Sequence, residues 1–434
     1  MNFIFFALVS AGFLSVAWQQ FLWVPASGVP APMEKLSAAI IQAAAGSVEL
    51  AFGLIGIMAL FLGLTKVAEQ GGMLALISRI IRPFMKWLFP EVPPDHPATG
   101  AMILNFSANL LGLGNAATPF GIRAMQELDK LNPSPGTATN SMVLFVAINT
   151  AGITLLPASV IALRAAAGSS SPAAILPTTL FASFCATVFA VFATRIYQRF
   201  FPFPAGPGRG DGLENGPGSE AAGDVEPGFV VESSGSCPLW VSCLAAALLV
   251  AAVPLMVVYG RVVAPWAIPA ITVGFLAFGA ARKVRVYEVF VEGAKEGFQV
   301  AVKIIPYLVA ILVAVAMLRA GGVLDAAASA LGGVTAGAGL PPEGVLMALM
   351  RPLSGSGAYG LVASIIKNPA VGPDSYTGYL VSTMQGSSET TFYVLAVYFG
   401  AVRVRRMRHA LAAGLTAELV AVVAAVAACR YLYG

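Results

Sequence analysis

About nine stretches of this chain are long and apolar enough to cross a bilayer, taking some 20 mainly apolar residues as the requirement. They are residues 1–23, 44–66, 138–164, 172–200, 238–259, 262–281, 299–319, 375–400 and 409–431. Runs of that length satisfy their backbone hydrogen bonds within one helix, so the fold class is an all-α polytopic membrane protein. Composition agrees: 58% of the residues are hydrophobic and only 11% are charged, with a mean hydropathy of +0.81. A water-facing surface needs far more charge than this. The stretch "VPASGVPA" after the first run resembles the end of a cleaved leader, but the basic segment that opens a leader is missing, which favours a retained span.

Charge then reports topology rather than a nucleic-acid partner. With the N-terminus in the cytoplasm, the basic groups Arg79, Arg82, Lys86, Arg282, Lys283, Arg285, Arg403, Arg405, Arg406 and Arg408 fall inside. Lys35, Arg164, Arg261, Arg319, Arg351, Lys367 and Arg430 fall outside, and the C-terminus is external. Residues 202–236 are rich in Pro, Gly and acid and cannot bury enough apolar area to order themselves. They read as a cytoplasmic linker between two membrane halves, 1–201 and 237–434. The cysteines Cys185, Cys237, Cys243 and Cys429 are dispersed and form no CxxC pair, so they read as small apolar fillers.

Shorter segments carry more information. Residues 73–89 place apolar and basic side chains on different faces at helical spacing, as an interfacial helix does; residues 322–335 are the candidate counterpart. Two apolar stretches are interrupted at their centres: 98–130 around "LGLGNAATPFG" and 343–372 around "RPLSGSGAYG". Each is expected to be a re-entrant helical hairpin with a small-residue tip. Irregular backbone at membrane depth survives only under protein or beside a water-filled cavity.

The halves align by hand. Residues 48–80 lie against 298–330, bringing Gly71-Gly72 onto Gly321-Gly322. A broken hairpin follows in each, then a span with a polar interruption: "AINTAGITLLPASV" in the first, "MQGSSETTFYVLAV" in the second. Three crossings plus a hairpin per repeat make the second repeat inverted, a layout that puts binding sites at the midplane. A helix broken at "QGSSE" presents partial charges to a ligand or ion. Glu389 would face that cavity; the competing reading is a polar patch that only joins helices by hydrogen bonds.

The longer motifs resemble a known family. "NFSANLLGLGNAATPFGIRAMQELDKLNPSPGTATN" (105–140), after "LFPEVPPDHPATGA", is similar to spore maturation protein A. "RPLSGSGAYGLVASI" and "GPDSYTGYLVSTMQGSSETTFYVLAVYFGAV" are similar to spore maturation protein B. The chain therefore resembles a fusion of the two, joined near 202–236. Both belong with the nucleoside-recognition gate domains, a group that includes membrane domains of concentrative nucleoside transporters and of the ferrous iron transporter. The resemblance implies a role in spore development linked to core dehydration and names no substrate. Relation to transporters also implies a homo-oligomer.

Candidate solute-binding residues are Asn105, Ser107, Asn109 and Asn115 in the first hairpin, and Asn149 and Thr150 in the first broken span. Ser354 and Ser356 represent the second tip, and Gln385, Ser387, Ser388, Glu389 and Thr390 the second break. Each group has a structural alternative, capping or packing. Glu389 is the leading ion-coupling residue, with Glu49 second; Glu418, with little polar company, reads more readily as an interhelical hydrogen bond. Asp374 reads as the N-cap of the helix near Ser375, and Asp95-His96 as a turn. The "GSGAYG" match to a dinucleotide fingerprint fails because it follows a membrane segment rather than a β-strand. No catalytic grouping, metal cluster or P-loop is visible, so the expectation is a non-enzyme without cofactors or metal. It is expected to move a small polar solute with a proton or sodium ion, in contact with membrane lipid. The competing function is a non-transporting scaffold for spore maturation.

Overall fold

The computed structural model describes residues 2–25, 30–112, 114–203, 238–323, 326, 335 and 337–434. The linker expected at 202–236 and the helix expected at 322–335 lie almost wholly outside them. The described residues form helices and connecting turns. In the first half these are α1 (Asn2–Leu22), α2 (Pro32–Gln70), α3 (Met73–Leu88), α4 (Pro97–Leu110), α5 (Gly114–Lys130), α6 (Asn140–Ala151), α7 (Ala158–Ala166) and α8 (Leu176–Tyr197). The second half holds α9 (Leu239–Val258), α10 (Gly260–Ala281), α11 (Val286–Ala320), α12 (Pro342–Leu353), α13 (Gly355–Lys367), α14 (Tyr376–Gly386), α15 (Thr391–Ala401) and α16 (Ala410–Tyr433).

Among the described residues, five helices are long and apolar enough to cross a membrane: α1, α2, the stretch ending in α8, α10 and α16. The count of nine full spans is not reproduced. The expected spans 138–164 and 375–400 are each two short helices around a break, α6–α7 and α14–α15. The apolar parts of α9 and α11 are shorter, at Trp240–Ala252 and Leu308–Ala320. The span expected at 44–66 belongs to the 39-residue α2. At 1.5 Å per residue this helix is about 58 Å long, well beyond a hydrocarbon core.

The element order repeats. A long helix (α2, α11) ends in a Gly-Gly pair whose second glycine, Gly72 or Gly322, has positive φ, +84° and +68°. A helical hairpin (α4–α5, α12–α13), a broken helix (α6–α7, α14–α15) and a closing helix (α8, α16) follow. Corresponding helices pack antiparallel. Gly297 meets Ala59 while Gly293 meets Leu62 and Lys66 further along. In the closing pair, Tyr197 bonds Thr416 while Tyr433 bonds the Ala174 carbonyl. Antiparallel equivalents are what inverted repeats produce.

Close approach comes from small residues. A Cβ on Gly297 would stand 2.7 Å from the Ala59 backbone, and one on Gly293 2.6 Å from the Leu62 carbonyl. Gly293 and Gly297 form a GxxxG pair, the spacing that lets membrane helices touch backbone to backbone. Alanines do the same among α6, α8 and α16, where Ala147, Ala186, Ala190, Ala417 and Ala421 share one buried cluster.

Candidate functional site

The two hairpin tips and the two helix breaks converge on one cavity of about 620 Å³. The first hairpin turns at Gly112, whose φ of +76° and lack of a Cβ let it lie against the Leu156 carbonyl. The tip is tied to the first break by Leu155 N–H donating to the Leu110 carbonyl at 3.0 Å. In the second hairpin, Ser354 caps α13 by accepting from Gly357 N–H at 2.9 Å. The two breaks meet where Glu389 N–H donates to the Thr150 carbonyl at 2.7 Å. Backbone groups freed by one broken helix are thus partly satisfied by the other, which lowers the cost of unpaired groups at this depth.

Of the expected site residues, Asn109, Ser356, Gln385, Ser388 and Glu389 line the cavity. The Glu389 side chain is exposed to it and makes no hydrogen bond or ion pair with the described residues. Asn109 Nδ2 donates to Asn149 Oδ1 at 2.9 Å, so the first tip and the first break share an amide pair.

The remaining candidates hold the frame. Asn105 is fully buried and donates across its hairpin to the Ala117 carbonyl at 2.8 Å and to Tyr398 Oη at 3.3 Å. Tyr398 in turn donates to Asn149 Oδ1, linking α15 of the second repeat to α6 of the first. Ser107 bonds the Ile103 carbonyl and meets Ser78 of α3 at 3.2 Å. Thr150 and Ser387 donate to carbonyls of their own helices. Thr390 accepts from Arg351 Nη1 at 2.9 Å. The Asn115 side chain lies outside what the structure describes. Glu49 sits exposed on α2, away from the cavity, on the side of Lys367.

One expectation about the acids changes. Ser375, not Asp374, caps α14, accepting from Gly378 N–H at 3.0 Å. Asp374 instead binds Arg164 Nη2 at 2.9 Å and accepts from the hydroxyls of Ser169 and Ser170 and from Ser170 N–H. Arg164 is fully buried and also reaches the carbonyls of Pro172 and Pro373, with its guanidinium 4.4 Å from the Tyr379 ring centre. This clamp joins α7 to the start of α14. Glu418, buried in α16, follows its structural reading: Oε1 accepts from Thr391 N–H at 2.9 Å and Thr391 Oγ1 at 2.7 Å, placing a carboxyl at the N-terminus of α15. His96 Nδ1 caps α4 by accepting from Ala98 N–H, so "PPDHP" is a turn, with Asp95 3.9 Å from Arg82. No three His, Cys, Asp or Glu side chains cluster as a metal site needs among the described residues.

Charged lining residues escaped the sequence reading. Lys66 lines the cavity, 3.2 Å from Glu296 and 3.7 Å from Glu69. Arg351, 5% exposed, lines it from the end of α12. Positional bias filed Arg351 among external charges; its place directly before Pro352 and the small-residue tip was the signal available.

A family model described as Gate, nucleoside recognition, matches residues 51–199 and 301–405. The chain is 42% identical over 165 residues to spore maturation protein A of Bacillus subtilis (strain 168), covering 38% of this chain and 84% of that protein. It is 47% identical over 167 residues to spore maturation protein B of the same organism, covering 38% of this chain and 93% of that protein. Similarity to both at once is what a fusion of the two would have. No solved structure matches. The chain belongs to the Gate nucleoside-recognition family and is a multi-pass membrane protein of the spore maturation A/B type.

Proposed function

We propose that this gate-family chain is a secondary transporter or channel for a small polar solute, bound between the two inverted repeats. The observation that carries the reading is the cavity at which both hairpin tips and both helix breaks meet, with Glu389 lining it and making no side-chain hydrogen bond or ion pair among the described residues. Transporters place solute and ion sites at such discontinuities because helix ends and unwound backbone supply polar groups without extra side chains. An intramembrane acid without a protein partner is costly unless water, a solute or an ion meets it. Glu389 therefore takes the coupling role, with a proton or sodium ion as its partner. Residues 1–201 and 237–434 supply one repeat each, joined by a cytoplasmic linker at 202–236, with the N-terminus inside and the C-terminus outside the cytoplasmic membrane.

The test is solute counterflow in proteoliposomes, across nucleosides, amino acids, carboxylates and metal ions, under proton and sodium gradients. Wild type should accumulate at least one class. Glu389→Gln should abolish gradient-driven uptake while unfolding at the same temperature, because its side chain bonds nothing else. Absence of uptake for every class, with the variant functional in cells, would move the reading to a membrane scaffold for spore maturation.

A further inference from the structure

We infer that the cavity binds a small carboxylate that also carries a hydrogen-bond donor, with Arg351 as the anion-binding residue. This rests on the cavity being a solute site. Arg351 is 5% exposed, lines the cavity, and pairs with no carboxylate among the described residues. A guanidinium offers five N–H donors. Here Nη1 reaches Thr390 Oγ1 at 2.9 Å, while the buried Nε has no hydrogen-bond partner among the described residues. Arg351 lies close enough to Glu418 to act on its carboxyl electrostatically, yet no direct ion pair forms and Nε stays unspent. The unspent donors at the cavity wall leave Arg351 able to receive an anion from outside the chain.

Its surroundings select the anion. The N-terminus of the 13-residue α13 opens beside it: a Cβ on Gly355 would stand 3.6 Å from Arg351 Nη1. Gly355 and Ser356 line the cavity, and their N–H groups, in the first turn of α13, have no acceptor within that helix. The helix end adds partial positive charge. Arginine and two N–H groups match the flat, two-oxygen face of a carboxylate.

The second requirement comes from Gln385. Its Nε2 donates to the Gly355 carbonyl at 3.5 Å, and its buried Oε1 has no hydrogen-bond partner among the described residues. An acceptor beside the anion-binding end calls for a donor on the same ligand. Glu389, Glu69 and Glu296 line the cavity against Lys66 and Arg351, which favours a singly charged anion over phosphate. Amino and hydroxy acids combine the two features.

The experiment measures binding to the full chain in detergent by calorimetry. Probes are serine and lactate, then acetate, serine amide, inorganic phosphate and uridine, each against wild type, Arg351→Lys and Arg351→Gln. Serine or lactate should bind, acetate more weakly, and serine amide, phosphate and uridine not measurably. Affinity should fall by about tenfold in Arg351→Lys, which keeps charge but loses the fork, and further in Arg351→Gln. Because Arg351 also holds Thr390, wild type is read independently: an arginine-selective dicarbonyl should modify the Arg351 peptide, and lactate but not serine amide should protect it. Uridine or serine amide binding equally in wild type and Arg351→Gln would overturn the inference and leave the cavity as a neutral-solute site. Phosphate binding better than lactate would overturn the carboxylate assignment. Failure of serine and lactate to bind, with no dicarbonyl protection, would overturn this inference alone; the solute site itself stands or falls by the counterflow test.

Discussion

Removing the Arg164 guanidinium should destabilise the fold more than any exposed charge change. Arg164 uses Nε for the Pro172 carbonyl at 3.2 Å, Nη1 for the Pro373 carbonyl at 2.6 Å, and Nη2 for Ser169 Oγ at 3.2 Å and Asp374 Oδ1 at 2.9 Å. Truncating one partner of a buried ion pair costs about 3–5 kcal/mol. Arg164→Met fills much of the space but leaves two carbonyls without their donor, so the full range applies. Asp374→Asn should cost less, about 1.5–3 kcal/mol, the range for hydrogen bonds to charged groups. Its side chain is 31% exposed, and the guanidinium keeps its carbonyl acceptors. The two changes should be non-additive, since each removes the same contact. The pH dependence has a defined sign. Burial alone would raise the Asp374 carboxyl; the hydrogen bonds from Ser169 and Ser170 and the Arg164 charge outweigh it and hold the group below its ordinary 3.8. A folded pKa below the unfolded one stabilises fully above about pH 4, and that stability is lost as pH falls through the lower folded value. Asp374→Asn should lack this acid-labile part. The assay is equilibrium unfolding of the full chain in mild detergent at pH 7 and across pH 5 to 2.5. An Arg164→Met change below about 1 kcal/mol, or additive single and double variants, would refute the clamp.

Gly297→Leu should force α2 and α11 apart, because the Ala59 backbone stands where its Cβ would go; a loss of about 2–3 kcal/mol in the same assay is expected for an overpacked site. Gly274→Ala, with open space around it, should be close to neutral and serves as control. Glu418→Ala leaves the Thr391 N–H and hydroxyl buried without an acceptor, which should cost about 2–4 kcal/mol. Hydrogen exchange should then show early opening of α15, and unchanged exchange there would count against the capping role. Asn149→Leu should uncouple Asn109 and Tyr398 together, loosening the first hairpin tip without removing any charge from the cavity.

The broken elements were legible because glycine and amide residues stand out against apolar sequence. "LGLGNAATPFG" marked the first hairpin, and the paired glycines at 71–72 and 321–322, which aligned the two halves, stand at the ends of α2 and α11. The partition between lining and frame was not legible. Asn105 and Asn109 are four residues apart on one helix face, yet Asn105 is spent on the Ala117 carbonyl and Tyr398 while Asn109 reaches the cavity. That difference depends on Tyr398, almost 300 residues away, which no local pattern announces. Asp374 shows the same limit: the residue before Ser375 looks like a cap until Arg164 of the other repeat is placed beside it. The GxxxG pair at 293 and 297 was not singled out from the sequence, and its partner on α2 emerges only from the structure.

Glu389 and Glu418 show how a membrane protein carries acids at depth in two ways. Glu418 is 4% exposed and has two donors on one oxygen, from a helix end that carries partial positive charge. Its placement is explained inside the protein, and its role is to start α15. Glu389 lies only two residues before Thr391, but on the cavity side of the break, exposed and without a side-chain partner. A carboxyl facing lipid at membrane depth costs about 2.5 kcal/mol or more. At the break Glu389 lines the cavity, and its N–H bonds the Thr150 carbonyl of the other break. The break is thus what makes an acid tolerable here. Restoring helical continuity by substituting residues 387–390 with alanine should remove solute binding and destabilise the first break as well, since Thr150 would lose its donor.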